Sequence, residues 1–153
     1  MVEVVLALGV IAFAIVGIMG LFPVAMKSAQ ESQRETRATL AAQQIFADMR
    51  TSAGSNRFVI SGPSAANTNA ISLAANTNIY LAFGTNGVPI TSISSADFTN
   101  SYTAANAIFL ADIAVDTNTG VPNLSRVQVT VAAPAAAPSA ARSKYPFVTL
   151  MNY

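Results

Sequence analysis

The chain has 153 residues, with eight Lys or Arg against seven Asp or Glu, and neither His nor Cys. A formal net charge of +1 supplies no basic field for nucleic acid, and no aromatic-and-basic stripe accompanies it. Without Cys or His there is no disulfide, no thiolate ligand and none of the usual nucleophile–base pairs, so the composition argues against an enzyme and implies no cofactor.

The first predicted element is a helix that begins as an uninterrupted apolar run. Val4 to Met26 carries no charged side chain, and these 23 residues reach about 35 Å as a helix, enough to cross a hydrocarbon core of roughly 30 Å. One carboxylate, Glu3, stands at the outer end of this run. A carboxylate at the bilayer centre costs about 2.5 to 3.5 kcal/mol and less near an end, so such a group commonly has a partner or a function. The first cation in the chain is Lys27, at the other end of the run and about 36 Å away on a straight helix. The partner of Glu3 is then water, a lipid headgroup, the chain's own amino terminus or another molecule; a Glu just outside the membrane on an ordinary anchor is the plain alternative. A secretory signal peptide fits less well, because a basic leading segment is missing and the apolar run exceeds the usual length of about 7 to 15 residues. Gly17, Gly20 and Pro23 weaken the last third of the run, each Gly by about 1 kcal/mol and the Pro by about 3 through its missing N–H and its clash with the Met19 carbonyl.

Met1-Val2-Glu3-Val4-Val5-Leu6-Ala7-Leu8-Gly9-Val10, followed by Gly17, Gly20, Leu21 and Pro23, resembles the amino-terminal helix of type IV pilins and of the pseudopilins of type II secretion. It is also similar to pilin-like cassette proteins of the Verrucomicrobia. The resemblance covers about the first 50 residues; beyond them it rests on architecture. It implies a precursor anchored in the inner membrane, cut by a prepilin peptidase, N-methylated, and drawn by a pilus assembly machinery into a helical homo-oligomeric filament on the cell surface. Glu3 occupies the position of the family's glutamate, which neutralises a neighbour's amino terminus, here Met1. In the family four residues precede that glutamate; here Met1 and Val2 do. In a bilayer this segment is expected to stay helical, but the family melts near an equivalent proline, which leads us to expect an extended or irregular stretch within Gly17 to Pro23 once it is packed among other subunits, with a simple kink as the alternative. The tip pseudopilin commonly lacks the acid, which favours a shaft or subtip position.

The helix is expected to continue beyond Pro23 as an amphipathic segment. Ala38, Ala41, Ala42, Ile45, Phe46 and Met49 recur at helical spacing, while Lys27, Glu31, Arg34, Glu35, Arg37 and Asp48 supply the polar positions. Arg50 suits a last turn and Gly54 a stop, placing the end between them. The remainder reads as a β-rich head. Short strands are expected at Arg57 to Ser61, Asn78 to Phe83 and Val88 to Ile93, the last two joined by the turn Gly84-Thr85-Asn86-Gly87. Ala107 to Asp116 and Leu124 to Ala132 have the layout of a hairpin, with Val127, Val129 and Val131 alternating against Gln128 and Thr130. Phe147 to Asn152 forms a final strand. The expected fold is α+β: a long hydrophobic-then-amphipathic helix packed on an antiparallel sheet, divided into 1–26, 27–54 and 55–153.

Within the head, three features carry a chemical reading beside a plain one. Asp116 and Asn118 offer alternating oxygen ligands, as calcium loops do, without the downstream Glu; a plain hairpin turn is the stronger explanation. Ser139 and Ser143 flank an Ala/Pro stretch like those that carry O-glycans on some pilins, while an exposed polyproline-like loop is the structural alternative. Asn123-Leu124-Ser125 matches the N-glycosylation tripeptide, a pattern short enough to arise by chance. Asp97, Asp112 and Asp116 have no cation nearby in sequence with which to form an acid/base pair, and Asp112 and Asp116 fall on one side of a strand. Many pilins close a carboxyl-terminal loop with a disulfide, which must be held otherwise here. A structural filament subunit is the leading functional expectation; a minor pseudopilin and a membrane-anchored binding domain that never polymerises are the alternatives.

Overall fold

The computed structural model describes residues 2–52, 57–60, 69–73 and 75–152. Met1, Gly54 and Ser61, to which the sequence assigns an amino terminus, a helix stop and a strand end, lie outside the described residues. The first element, α1, runs from Val2 to Ser52 without interruption, and its 51 residues span about 76 Å. Gly17, Gly20 and Pro23 are all inside it, so the segment is helical in the single chain. The physical reason is local: Pro23 removes one intrahelical bond, and no described residue packed against this part of the chain competes for the remaining backbone groups.

The chain divides into two compact units within α1, a stem of Met1–Thr36 and a head of Arg37–Tyr153. The break therefore falls inside the helix, and its last turns belong to the head. Ala38, Ala41, Ala42, Ile45 and Met49 are buried there, with Phe46 packed beside them, which is the apolar stripe read from the spacing. The many alanines on this face allow the helix to lie close against the sheet.

The head's sheet is antiparallel and open. It comprises β3 (Thr77–Phe83), β4 (Pro89–Ile93), β5 (Phe109–Asp116), β6 (Leu124–Ala133) and β7 (Ser143–Asn152), in the order β4-β3-β5-β6-β7. Two shorter strands, β1 (Arg57–Ile60) and β2 (Asn69–Ser72), pair separately with each other. The β5–β6 hairpin has the expected register, Leu110 opposite Ala132 and Asp116 opposite Arg126. Alternation then sorts the side chains: Phe109, Ala111, Ile113 and Val115 of β5 and Val127, Val129 and Val131 of β6 are buried in one cluster with Ala38, Ile45 and Met49 of α1. A long helix on an antiparallel sheet, α+β, is thus the observed architecture.

The other sheet face is only partly covered. Ser94 caps the short helix α2 (Ser95–Thr99) in a reciprocal box with Asp97. Phe98 and Tyr102 from this region pack with Ala82, Leu110 and Ala135 in a second, smaller cluster. The strand expected at Phe147 begins at Ser143, because Pro146 sits on an edge strand, where a missing N–H is tolerated.

Candidate functional site

The stem is where chemistry and geometry depart furthest from an ordinary folded chain. Its large apolar side chains are exposed on every side of the helix, from 47% at Ile15 to 84% at Phe13. Soluble monomers rarely leave contiguous apolar patches beyond a few hundred Å2 uncovered, and a helix apolar all round belongs in lipid or inside a protein assembly. This stretch of α1 is long and apolar enough to cross a membrane. A Cβ added at Gly9, Gly17 or Gly20 would meet nothing within 4 Å, so each leaves open surface for another backbone to approach. On an ideal helix these three fall within about 80° of arc, a single face.

Glu3 is exposed in the first turn of α1. That position is favourable on its own account, since the unsatisfied N–H groups of a helix start carry partial positive charge worth about 0.3 to 1 kcal/mol to a nearby anion. Met1, the residue assigned to the same assembly contact, lies outside the described residues. No protein-family model, curated protein or solved structure matches the chain. The reading of this site therefore rests on its own residues.

The head's candidate residues resolve differently. Asp116 accepts from the Asn118 N–H at 2.9 Å through one oxygen and from the Arg126 guanidinium at 3.0 Å through the other. Both oxygens are engaged in closing the hairpin, and among the described residues no group of three or more acidic, His or Cys side chains could hold a metal. Asp116 and Asn118 thus sit in a closed hairpin turn. Thr119 Oγ1 reinforces it by donating to the Leu124 carbonyl at 2.8 Å, and Gly120 takes a φ of +75° that favours glycine. Asn123 is exposed at the start of the returning strand.

The Ala/Pro stretch is not an exposed polyproline-like loop. Ala135 is fully buried, Ala137 N–H donates to the Pro134 carbonyl at 3.1 Å, and Ala141 N–H donates to that of Pro138 at 2.8 Å. Alanine side chains are small enough for the loop to fold down onto the sheet, and a single cation then holds it. The Arg142 guanidinium, buried, donates to the backbone carbonyls of Ala137 and Ala135 in the loop, of Phe98 in α2 and of Asn100 at its C-cap. It also lies 5.7 Å from the centre of the Phe98 ring. Burial lowers its pKa from the ordinary arginine value. Arg142 thus ties two segments together without a disulfide. Ser139 and Ser143 are half-buried, Ser139 in a short 3-10 turn and Ser143 opposite Ala133 at the start of β7.

Asp112 shares the outer sheet face with Asp116, between Tyr80 of β3 and Thr130 of β6. Its Oδ1 is buried without a hydrogen-bond partner among the described residues, and burial raises its pKa above the ordinary carboxylate value. Sequence reasoning missed Arg142 and Arg126. The second was readable, since the hairpin register alone sets Arg126 opposite Asp116.

Proposed function

We propose that the chain is a structural, non-catalytic subunit of a type IV pilus-like extracellular filament. The stem anchors it in the inner membrane before assembly and forms the filament core afterwards, with Glu3 neutralising the amino terminus of a neighbouring subunit. Prepilin peptidase and a pilus assembly machinery are the partners this reading requires. One observation carries it: a single helix buries its apolar stripe within the head but exposes apolar side chains on every side of the stem. A lipid anchor alone needs no acid at its outer end, whereas a polymer of like helices gains register from one buried ion pair.

The test is Glu3→Ala beside Glu3→Gln in cells carrying the assembly machinery. Both variants are expected to insert in the membrane at parental levels while filaments recovered by shearing fall at least about tenfold, the loss of roughly 1.4 kcal/mol or more per contact. Filaments of normal number and length from Glu3→Ala cells would remove the pairing role. Absence of the parental chain from sheared filaments would remove the major-subunit reading in favour of a minor pseudopilin.

A further inference from the structure

We propose that the second half of β7 pairs edge to edge with the same strand of a second copy, linking filaments side by side; this rests on the filament reading above. The open sheet has two outer strands, and they are protected unequally. β4 is five residues long, begins at Pro89, and meets β3 through an irregularity in register between Ala82 and Phe83. Short length, proline and bulges are the devices by which proteins blunt an edge. β7 has ten residues, and its blunting devices, exposed Lys144 and Pro146, both lie in its first half.

From Phe147 to Asn152 neither charge nor proline intervenes. The Ser125 hydroxyl donates to the Met151 carbonyl at 3.4 Å, so that carbonyl points toward β6. In an antiparallel strand the direction of the backbone groups alternates, so N–H and C=O of Val148 and Leu150 point to the free edge. Their side chains, 58% and 59% exposed, lie together on the outer face of the sheet. Of the four large apolar residues exposed among the described residues of the head, Leu40, Val121, Val148 and Leu150, two are therefore neighbours on one unpaired edge.

The occupant that fits is a second β7. Antiparallel pairing centred on Leu150 puts Leu150 beside its counterpart and Val148 opposite Asn152, and satisfies the free backbone groups of Val148 and Leu150. The two Lys144 side chains then lie about 40 Å apart along the strands. The nearest charges in each copy, Arg126 opposite Leu150 and its partner Asp116, already neutralise one another. A twofold contact cannot recur between successive subunits of a polar helical filament, so it joins different filaments. A few residues of strand edge bury far less than the roughly 1,000 Å2 of a stable interface, which makes one contact weak and a row of them along two filaments strong.

The chain has no cysteine, so Leu150→Cys in the full-length protein places one thiol at the centre of the pairing. Ala96→Cys, exposed on α2, serves as the control. Mild oxidation is expected to give disulfide-linked dimers from Leu150→Cys several-fold above Ala96→Cys, in sheared filaments and in concentrated detergent-solubilised protein alike. Val148→Lys with Leu150→Lys is expected to leave filaments assembled but single in electron micrographs where the parent forms bundles. Single parental filaments, or equal cross-linking of the two cysteine variants, would overturn the inference while leaving the filament reading intact. Cross-linking of solubilised Leu150→Cys in cells that make no filaments would instead retain the strand contact and overturn the filament.

Discussion

Ile18 is 70% exposed and Ile45, on the same helix, is 1% exposed. Both sit in one continuous α-helix, so secondary structure does not distinguish them. What differs is whether the chain supplies its own cover: β3, β5, β6 and β7 do so for the head's end of α1, and no described residue does so for the stem. A helix divided in this way is covered by its own chain at one end and left apolar and uncovered at the other, a surface that suits lipid as well as protein.

The comparison breaks most sharply if the two isoleucines are truncated in turn. Ile45→Ala removes a fully packed side chain and is expected to cost about 2 to 5 kcal/mol of head stability. Ile18→Ala in the same detergent-solubilised chain should lie within about 0.5 kcal/mol of the parent. Denaturant unfolding followed by tyrosine fluorescence measures both, the chain having no tryptophan. Equal losses would show that stem and head unfold as one unit.

The parts of this division that local pattern encodes were legible. Apolar continuity marked the stem, a 3.6-residue period marked the buried face from Ala38 to Met49, and a period of two marked β6. Other parts depend on distant residues. The first half of β7 contains Lys144 and Pro146, which argue against a strand until its edge position is known. β2 is four residues of unremarkable composition, and only its pairing with β1 defines it. α2 was readable in principle, because Ser94 and Asp97 have the spacing of a capping box. Arg142 gave no signal at all: its acceptors are backbone carbonyls, two of them more than forty residues earlier, and a carbonyl has no sequence signature.

Arg142 provides the next test, within the head itself. Arg142→Lys keeps the charge but replaces a planar fork that reaches both segments with a single flexible ammonium. Leaving buried carbonyls short of a donor is expected to cost about 1 to 3 kcal/mol. The loss should be local: amides in α2 and in the 134–142 loop should exchange hydrogen faster, while those of β5 and β6 keep their protection. Uniform acceleration would show that the tied segments are integral to the core rather than a cover laid over it.

The smallest effect concerns a polar group, and it inverts the stem's situation. The stem leaves apolar atoms without cover, whereas the head covers a polar atom, Asp112 Oδ1, without giving it a partner among the described residues. Burial raises this carboxyl above its ordinary value of 3.8. Below that value Asp112 is protonated in both folded and unfolded chains and contributes nothing to the pH dependence. As pH rises past it the unfolded chain ionises first, so stability falls until the folded group ionises as well. Asp112→Asn cannot ionise, and any offset from exchanging acid for amide is the same at every pH. The thermal midpoint of the variant relative to the parent is therefore expected to be least favourable at pH 3 and to rise as the pH is raised from there. A difference that does not change with pH would mean that this buried oxygen is satisfied in solution.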